Sequence, residues 1–387
     1  MKKITLLMLS MGFSAFAVDV PPGTNNLQAA INSAAPGETL NLQAGTYFVS
    51  STITLNKQIT LQGVGMGTII QKTNGAAADV AAIVIPNGVN GCTLKDFRLL
   101  GQDQGGPGIM VFSNSNSLIN VNVSDCGNNS ANGPGSWRAG ILLEGAEDNV
   151  LTDVKSHHNS WVGISQHSSP GTTITGADCF LNHGEGLTID LGSHNCVVTN
   201  SLFNENNVST RGVGGIGIDD VNNATIQYCT INDTHNLHGI TFQNNVGGED
   251  GCVITNNTIN NSSQNGIRIR NCTYAVTNTT IGQNSYTGNG SADVYWECDE
   301  PTAFLGQQEM QVLKIYPNPA VDVVSVDFGQ AAINGFELLS ITGQQVLTID
   351  SEKLAGNTID ISGISAGVYI YKVSHNHGTT TGRLVIK

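Results

Sequence analysis

A Gly followed by Ile or Leu recurs through the middle of the chain. The third residue after each such Ile or Leu reads Phe112, Glu144, His167, Asp190, Asp219, Gln243 and Arg270. Most of these side chains can move protons or hold charge. If Asp190 and Asp219 lie close together, one keeps its proton while the other ionises. Such a pair can divide the work of glycoside hydrolysis, or it can hold a calcium ion through carboxylate oxygens. Arg270, with Arg268 two positions earlier, offers donors that suit a sugar carboxylate. Glu185 and His238 each stand immediately before a Gly of the same repeat. A base such as His238 or His167 beside Arg268 or Arg270 is the combination that removes a proton next to a carboxylate, as in elimination or epimerisation. The remaining reading of the column is a solvated polar face. His235 and His238 have no third fixed ligand, so no metal site is expected from them.

The repeat itself says how these side chains are held. The pairs fall at Gly108-Ile109, Gly140-Ile141, Gly163-Ile164, Gly186-Leu187, Gly215-Ile216, Gly239-Ile240 and Gly266-Ile267, in steps of 32, 23, 23, 29, 24 and 27 residues. Between them lie second apolar-alternating stretches, such as 172–175, 196–199, 224–227 and 252–255, and Asn-rich turns at 204–207 and 256–261. One unit of this size cannot bury its own apolar face, but units stacked as parallel coils can. Residues about 40 to 300 then give on the order of ten coils, roughly 50 Å long at about 4.8 Å per coil. Alternation sends the second residue after each Ile or Leu inward: Val111, Leu143, Gln166, Ile189, Ile218, Phe242 and Ile269. The first and third residues, among them Ser165, Thr188, Thr241 and Arg268, should then face solvent. Asn suits the bends because it tolerates left-handed backbone and can ladder its amide. Asn206 reads as such a turn residue, whose truncation should leave any activity nearly intact. Cys252 and Cys272 fall in one inward column, which predicts Cα atoms within about 7 Å and either a bridge or stacked thiols.

Composition sets outer limits. With 46 Gly, only 12% charged residues and a formal net charge of −14, the chain suits short strands and tight turns and disfavours nucleic acid. An anionic glycan would need a local basic patch. Lys2 and Lys3, an apolar run to about Phe13 and Ala15-Phe16-Ala17 read as a signal peptide over 1–17. No later stretch is long and apolar enough to span a bilayer. The eight cysteines lie between Cys92 and Cys298 and are expected chiefly as small buried residues.

Two resemblances add to this. The stretch Leu27 to Ser33 has helical apolar spacing and is followed by 36–42 and by LeuGlnGlyValGlyMetGlyThrIleIle at 61–70. It resembles the opening of pectate-lyase-like right-handed parallel β-helix proteins, which implies that fold over 18–300 and a short helix capping the first coil. After a linker at 301–311, residues 312–387 carry TyrProAsnPro, GlyGlnGlnVal and SerAlaGlyValTyr in order. These resemble the C-terminal sorting domain of the type IX secretion system of Bacteroidetes, a small antiparallel β-sandwich. That implies the type IX machinery as a partner and a secreted or surface location. HisGlyIle at 238–240 and AsnGlyIleArgIleArg at 265–270 are similar to the polygalacturonase glycosidases. By that similarity His238 assists the acid machinery, Arg268 holds substrate and Arg270 replaces a Lys. The family's two adjacent acids would fall at Val213 and Gly214, leaving Glu185 as the matching acid. The sequence therefore predicts an all-β, monomeric, exported protein acting on a polysaccharide. Elimination or epimerisation of a uronic-acid polymer comes first, hydrolysis second and binding without catalysis third. Its candidate catalytic residues are His238, Arg270, Arg268, Asp190 and Asp219. Its candidate substrate-binding residues are His167, Glu185, Gln243 and Glu144, and calcium is the one cofactor considered.

Overall fold

The computed structural model describes residues 17–73, 80–103, 105–127, 138–209, 212–298, 314–327, 333–340, 344–350, 358–375 and 378–387. The expected signal peptide, apart from Ala17, and the expected linker at 301–311 lie outside the described residues. The chain divides into two compact units between Gly306 and Gln307.

In the first unit, one strand from each coil joins a ten-stranded parallel sheet. Its strands run in sequence order from Ile53–Thr54 to Val294–Trp296. The return of each coil uses short strands that merge into a second, twenty-stranded sheet. At the corners between these short strands stand Asp153, Asn200 and Asn256, all with φ between 50 and 60°. This is the left-handed region that Asn and Asp enter at least cost after Gly. Such corners let a strand of only three residues turn and pair again one coil on.

The inward column is the one the alternation predicts. Val111, Leu143, Gln166, Ile189, Ile218, Phe242 and Ile269 pair in register on successive strands, and all are fully buried. Each apolar member is worth roughly 1.5–3 kcal/mol of transfer free energy, so a shift of one residue would expose the whole column. Gln166 is the polar exception: its Oε1 accepts a hydrogen bond from Cys196 Sγ at 3.0 Å, while its buried Nε2 has no hydrogen-bond partner.

The Asn turns do form amide ladders. Asn159 Nδ2 donates to Asn182 Oδ1 at 3.0 Å, and Asn182 Nδ2 to Asn206 Oδ1 at 2.9 Å. Backbone N–H groups of Asn159 and Asn182 donate to the same oxygens. Asn206 is therefore no free turn residue: it is 1% exposed, and its Nδ2 donates to Cys179 O at 2.8 Å. Truncating it would orphan buried groups, because the turn folds its amide beneath the neighbouring coil.

At the N-terminal end the helix Asn26–Ser33 buries Leu27 and Ile31 over the first coil. Its Gln28 amide meets both backbone groups of Thr54, accepting from N at 2.7 Å and donating to O at 3.1 Å. The side chain thus stands in for the missing neighbour strand at an open sheet edge.

The cysteine register differs from the sequence reading. Cys272 bridges to Cys298 with Cα atoms 5.4 Å apart, while Cys252 is a buried free thiol. Val253 pairs with Thr280, so Cys252 lies one coil from Thr279. The 20 residues from Cys252 to Cys272 fall short of the 27 that separate Val253 from Thr280. Cys272 therefore sits in the segment after the strand Ile267–Ile269 rather than in the next copy of the Cys252 column. Cys92, Cys126, Cys179, Cys196 and Cys229 are buried thiols as expected.

The second unit is antiparallel. Strands Lys314–Tyr316, Val323–Asp327 and Thr358–Asp360 form one sheet, and Ile333–Ser340, Gln345–Asp350, Gly367–His375 and Gly378–Ile386 form another. Val324, Val326, Phe336, Leu338, Val373 and Leu384 share one core between them.

Candidate functional site

Glu144, His167, Asp190 and Asp219 lie in register on four successive strands of the ten-stranded sheet. His167 sits between two carboxylates, with Nδ1 3.3 Å from Glu144 Oε2 and Nε2 3.2 Å from Asp190 Oδ1. Burial pulls the imidazole pKa down, but Asp190 and then Glu144 outweigh it, and the net shift is upward. Burial raises the Asp190 pKa and His167 opposes that rise.

A cleft of about 290 Å³ opens over this part of the sheet, lined among others by Trp161, His167, Glu185, Asp190, Val213 and Gln243. Its walls explain a departure from simple alternation. Ser165, Thr188 and Thr241 are outward-facing yet buried, because segments preceding the strands fold across the sheet. Trp161 and Val162 pack over Leu142, and Val213 O accepts a hydrogen bond from Thr241 Oγ1 at 2.9 Å. Ser165 and Thr188 satisfy each other at 2.9 Å.

Glu185 is the most perturbed acid in this cleft. Its side chain comes from the bend before the strand Leu187–Asp190 and is 4% exposed. Oε1 accepts from Val213 N at 2.8 Å, while Oε2 is buried without a hydrogen-bond partner. Burial, with a smaller contribution from the Asp190 charge, pushes its pKa up to about 7. Gly212 makes room for it: a Cβ there would stand 2.4 Å from the carboxyl group.

Asp219 plays a different part from its column neighbour. It is 6% exposed, and Oδ1 accepts from Asn245 N at 2.8 Å, so it holds the following loop. Gln243 lines the cleft and accepts from Asn245 Nδ2 at 3.1 Å. Among the described residues no group of three or more His, Cys, Asp or Glu has the arrangement of a metal site.

The basic residues lie further along the same face. Arg268 is ion-paired with Glu297, and Arg270 donates to Asn245 Oδ1 at 2.9 Å with its Nε 3.8 Å from Glu297 Oε2. His238 is 4% exposed and accepts from Asn265 N through Nδ1 at 3.3 Å. Burial first, and Arg268 second, lower its pKa to about 4. Glu297 has no place in the Gly-Ile repeat, because its coil opens with Asp293-Val294. Trp161 and Gly212 were equally invisible: they lie in the segments between strands, and only folding brings them over Glu185.

Residues 81–246 match the family model described as a right-handed beta helix region, and residues 314–387 match that of a secretion system C-terminal sorting domain. No curated protein sequence shows significant similarity to the chain. Among solved structures, ORF18 of Geobacillus virus E2 aligns with TM-score 0.53 at 15% identity, over 95% of this chain and 76% of that one. Pectate lyase Pel9A aligns with TM-score 0.50 at 16% identity, over 77% and 85%. The enzymatically active domain of bacteriophage CBA120 tailspike protein 2 aligns with TM-score 0.50 at 12% identity, over 93% and 73%. At these identities the shared property is the fold.

Proposed function

From the premise that this chain is a pectate-lyase-like right-handed β-helix exported through the type IX system by its sorting domain, we propose that it hydrolyses a polysaccharide outside the cell. The observation that carries this reading is Glu185, a buried carboxyl on the cleft whose pKa is pushed to about 7. At neutral pH a large fraction of it holds a proton to give to a glycosidic oxygen. Asp190, held by His167, is the second carboxylate. It either activates water or attacks the anomeric carbon as the bond breaks. Glu144 anchors the far side of His167, and Trp161 offers an aromatic face to a sugar ring.

Elimination or epimerisation at a uronic acid is the less favoured reading. It needs a base and a neutralising cation at one sugar. His238 is buried and already bonded to Asn265, and Arg268 is already paired with Glu297; His167 is held between Glu144 and Asp190, four coils from Arg270. Binding without catalysis is the outcome the test must separate. Purified protein should release reducing ends without ultraviolet-absorbing unsaturated products. Glu185→Gln should slow that release by about 10²–10⁴-fold while its melting temperature stays near that of the wild type. The rate should fall as pH rises through about 7, where Glu185 loses its proton. Unsaturated products, or a full rate in Glu185→Gln, would overturn the assignment.

A further inference from the structure

On the twenty-stranded sheet, away from the cleft, two neighbouring imidazoles turn toward each other. His157 ends the strand Lys155–His157, and His158 takes the left-handed corner after it, with φ 54°. That corner folds the second ring back beside the first. The ring centroids are 5.1 Å apart, the planes are nearly perpendicular at 82°, and Nδ1 stands 2.8 Å from Nδ1. Two nitrogens this close share one proton at most, because two facing N–H groups would repel.

The surroundings decide which nitrogen is bare. His157 Nε2 lies 3.1 Å from Asn122 Oδ1, which can only accept, so the ring proton sits on Nε2 and Nδ1 presents a lone pair. Phe180, one coil on, stacks on the His157 ring at 4.4 Å and 11° and fixes its plane. Burial first and His158 second lower the His157 pKa to about 4; Arg98 adds to the fall, and Asp125 and Asp178 oppose it. The ring is therefore neutral at ordinary pH, as a metal ligand must be. His158 is exposed, so its Nδ1 proton can pass through water to its own Nε2. Two lone pairs then stand side by side, and no proton is released.

The spacing selects an ion. Nitrogens each about 2.0 Å from a metal are about 2.8 Å apart across a right angle and about 3.3 Å apart in a tetrahedron. The 2.8 Å between His157 and His158 is the right-angle value, which suits square-planar or tetragonal Cu2+ or Ni2+ rather than Zn2+. An N–H donated from the far side of the ring to a carbonyl oxygen is also what orients a metal-bound imidazole. We propose that His157 Nδ1 and His158 Nδ1 form a two-nitrogen bite for Cu2+ or Ni2+, with Asn122 orienting His157 and water filling the remaining positions. The site lies on a different sheet from Glu185 and does not depend on the hydrolase reading.

The test titrates Cu2+, Ni2+ and Zn2+ into the purified, chelator-stripped full chain without an affinity tag. The wild type should bind Cu2+ most tightly, with an axial electron paramagnetic resonance spectrum that shows nitrogen ligands, and Ni2+ more tightly than Zn2+. His158→Ala, at an exposed position, should remove one equivalent of bound Cu2+ while the metal-free melting temperature stays near that of the wild type. Asn122→Ala should weaken Cu2+ binding about ten- to a hundredfold by freeing the His157 ring. His235→Ala, which removes an exposed imidazole elsewhere, should change nothing. Cu2+ bound equally by His158→Ala and the wild type would mean an adventitious ion only, and Zn2+ bound as tightly as Ni2+ would contradict the right-angle bite. Either result overturns the proposal. Glu185→Gln should bind the ions as the wild type does, whatever its activity.

Discussion

At the scale of single residues, this β-helix holds two buried carboxyl groups whose pKa values burial raises strongly, and they do different things. Glu185 borders the cleft, whereas Glu249 is fully buried within the solenoid. Its strand partner is Val276, a core residue. Burial raises the Glu249 pKa from 4.5 to about 8; the Asn244 side chain opposes the rise, and the charges of Asp219 and Asp220 add to it. The folded state thus holds a proton that the unfolded chain has already released between these two values. The stability that Glu249 contributes falls as pH rises from about 4.5 to about 8, and levels off above that. Glu249→Gln should flatten this part of the pH–stability curve, by on the order of 2–4 kcal/mol between its ends. Urea melts at pH 5, 7 and 9 check it, and parallel wild-type and mutant curves would contradict it. Glu185 adds a slope of the same sign up to about pH 7.

At the scale of elements, the Asn turns bind coil to coil through buried amide hydrogen bonds. Asn182 accepts from both the backbone N and the Nδ2 of Asn159, and donates to Ser156 O and Asn206 Oδ1. Asn182→Ala should cost about 1–3 kcal/mol by leaving buried groups without partners. Thr280→Ala, at an exposed position on the twenty-stranded sheet, should change stability by less than about 0.5 kcal/mol. Equal midpoints for the two variants in denaturant would show that the ladder contributes nothing. The polarity of these turns was legible in the sequence, but their burial was not. An Asn at a bend looks alike whether its amide points to water or under the next coil. The same limit applies to Ser165 and Thr188, whose burial depends on the wall that carries Trp161 and Val162.

At the scale of the whole molecule, solenoid and tail have separate cores and separate tasks. Deleting residues from about 310 onward should leave a β-helix with an unchanged far-ultraviolet spectrum. In a type IX-competent host, it should hold that protein in the periplasm. Normal appearance of the truncated chain in the medium would refute the sorting role. The sequence by itself determined the stacked architecture, the inward column from Val111 to Ile269, the capping helix and the sorting domain. Each of these repeats a local pattern, or continues one, and periodic burial is written directly in residue order. It also placed Glu144, His167, Asp190 and Asp219 in one column, because their spacing from the Gly-Ile pairs is regular. Only the tertiary structure decided which of them share a cleft. Asp219 turned to its loop, Glu185 came out at a bend where alternation fails, and Glu297 paired with Arg268 from a coil without the Gly-Ile signature. Those outcomes depend on irregular segments crossing the outer face and on desolvation by residues far apart in sequence. No spacing rule along one chain encodes either.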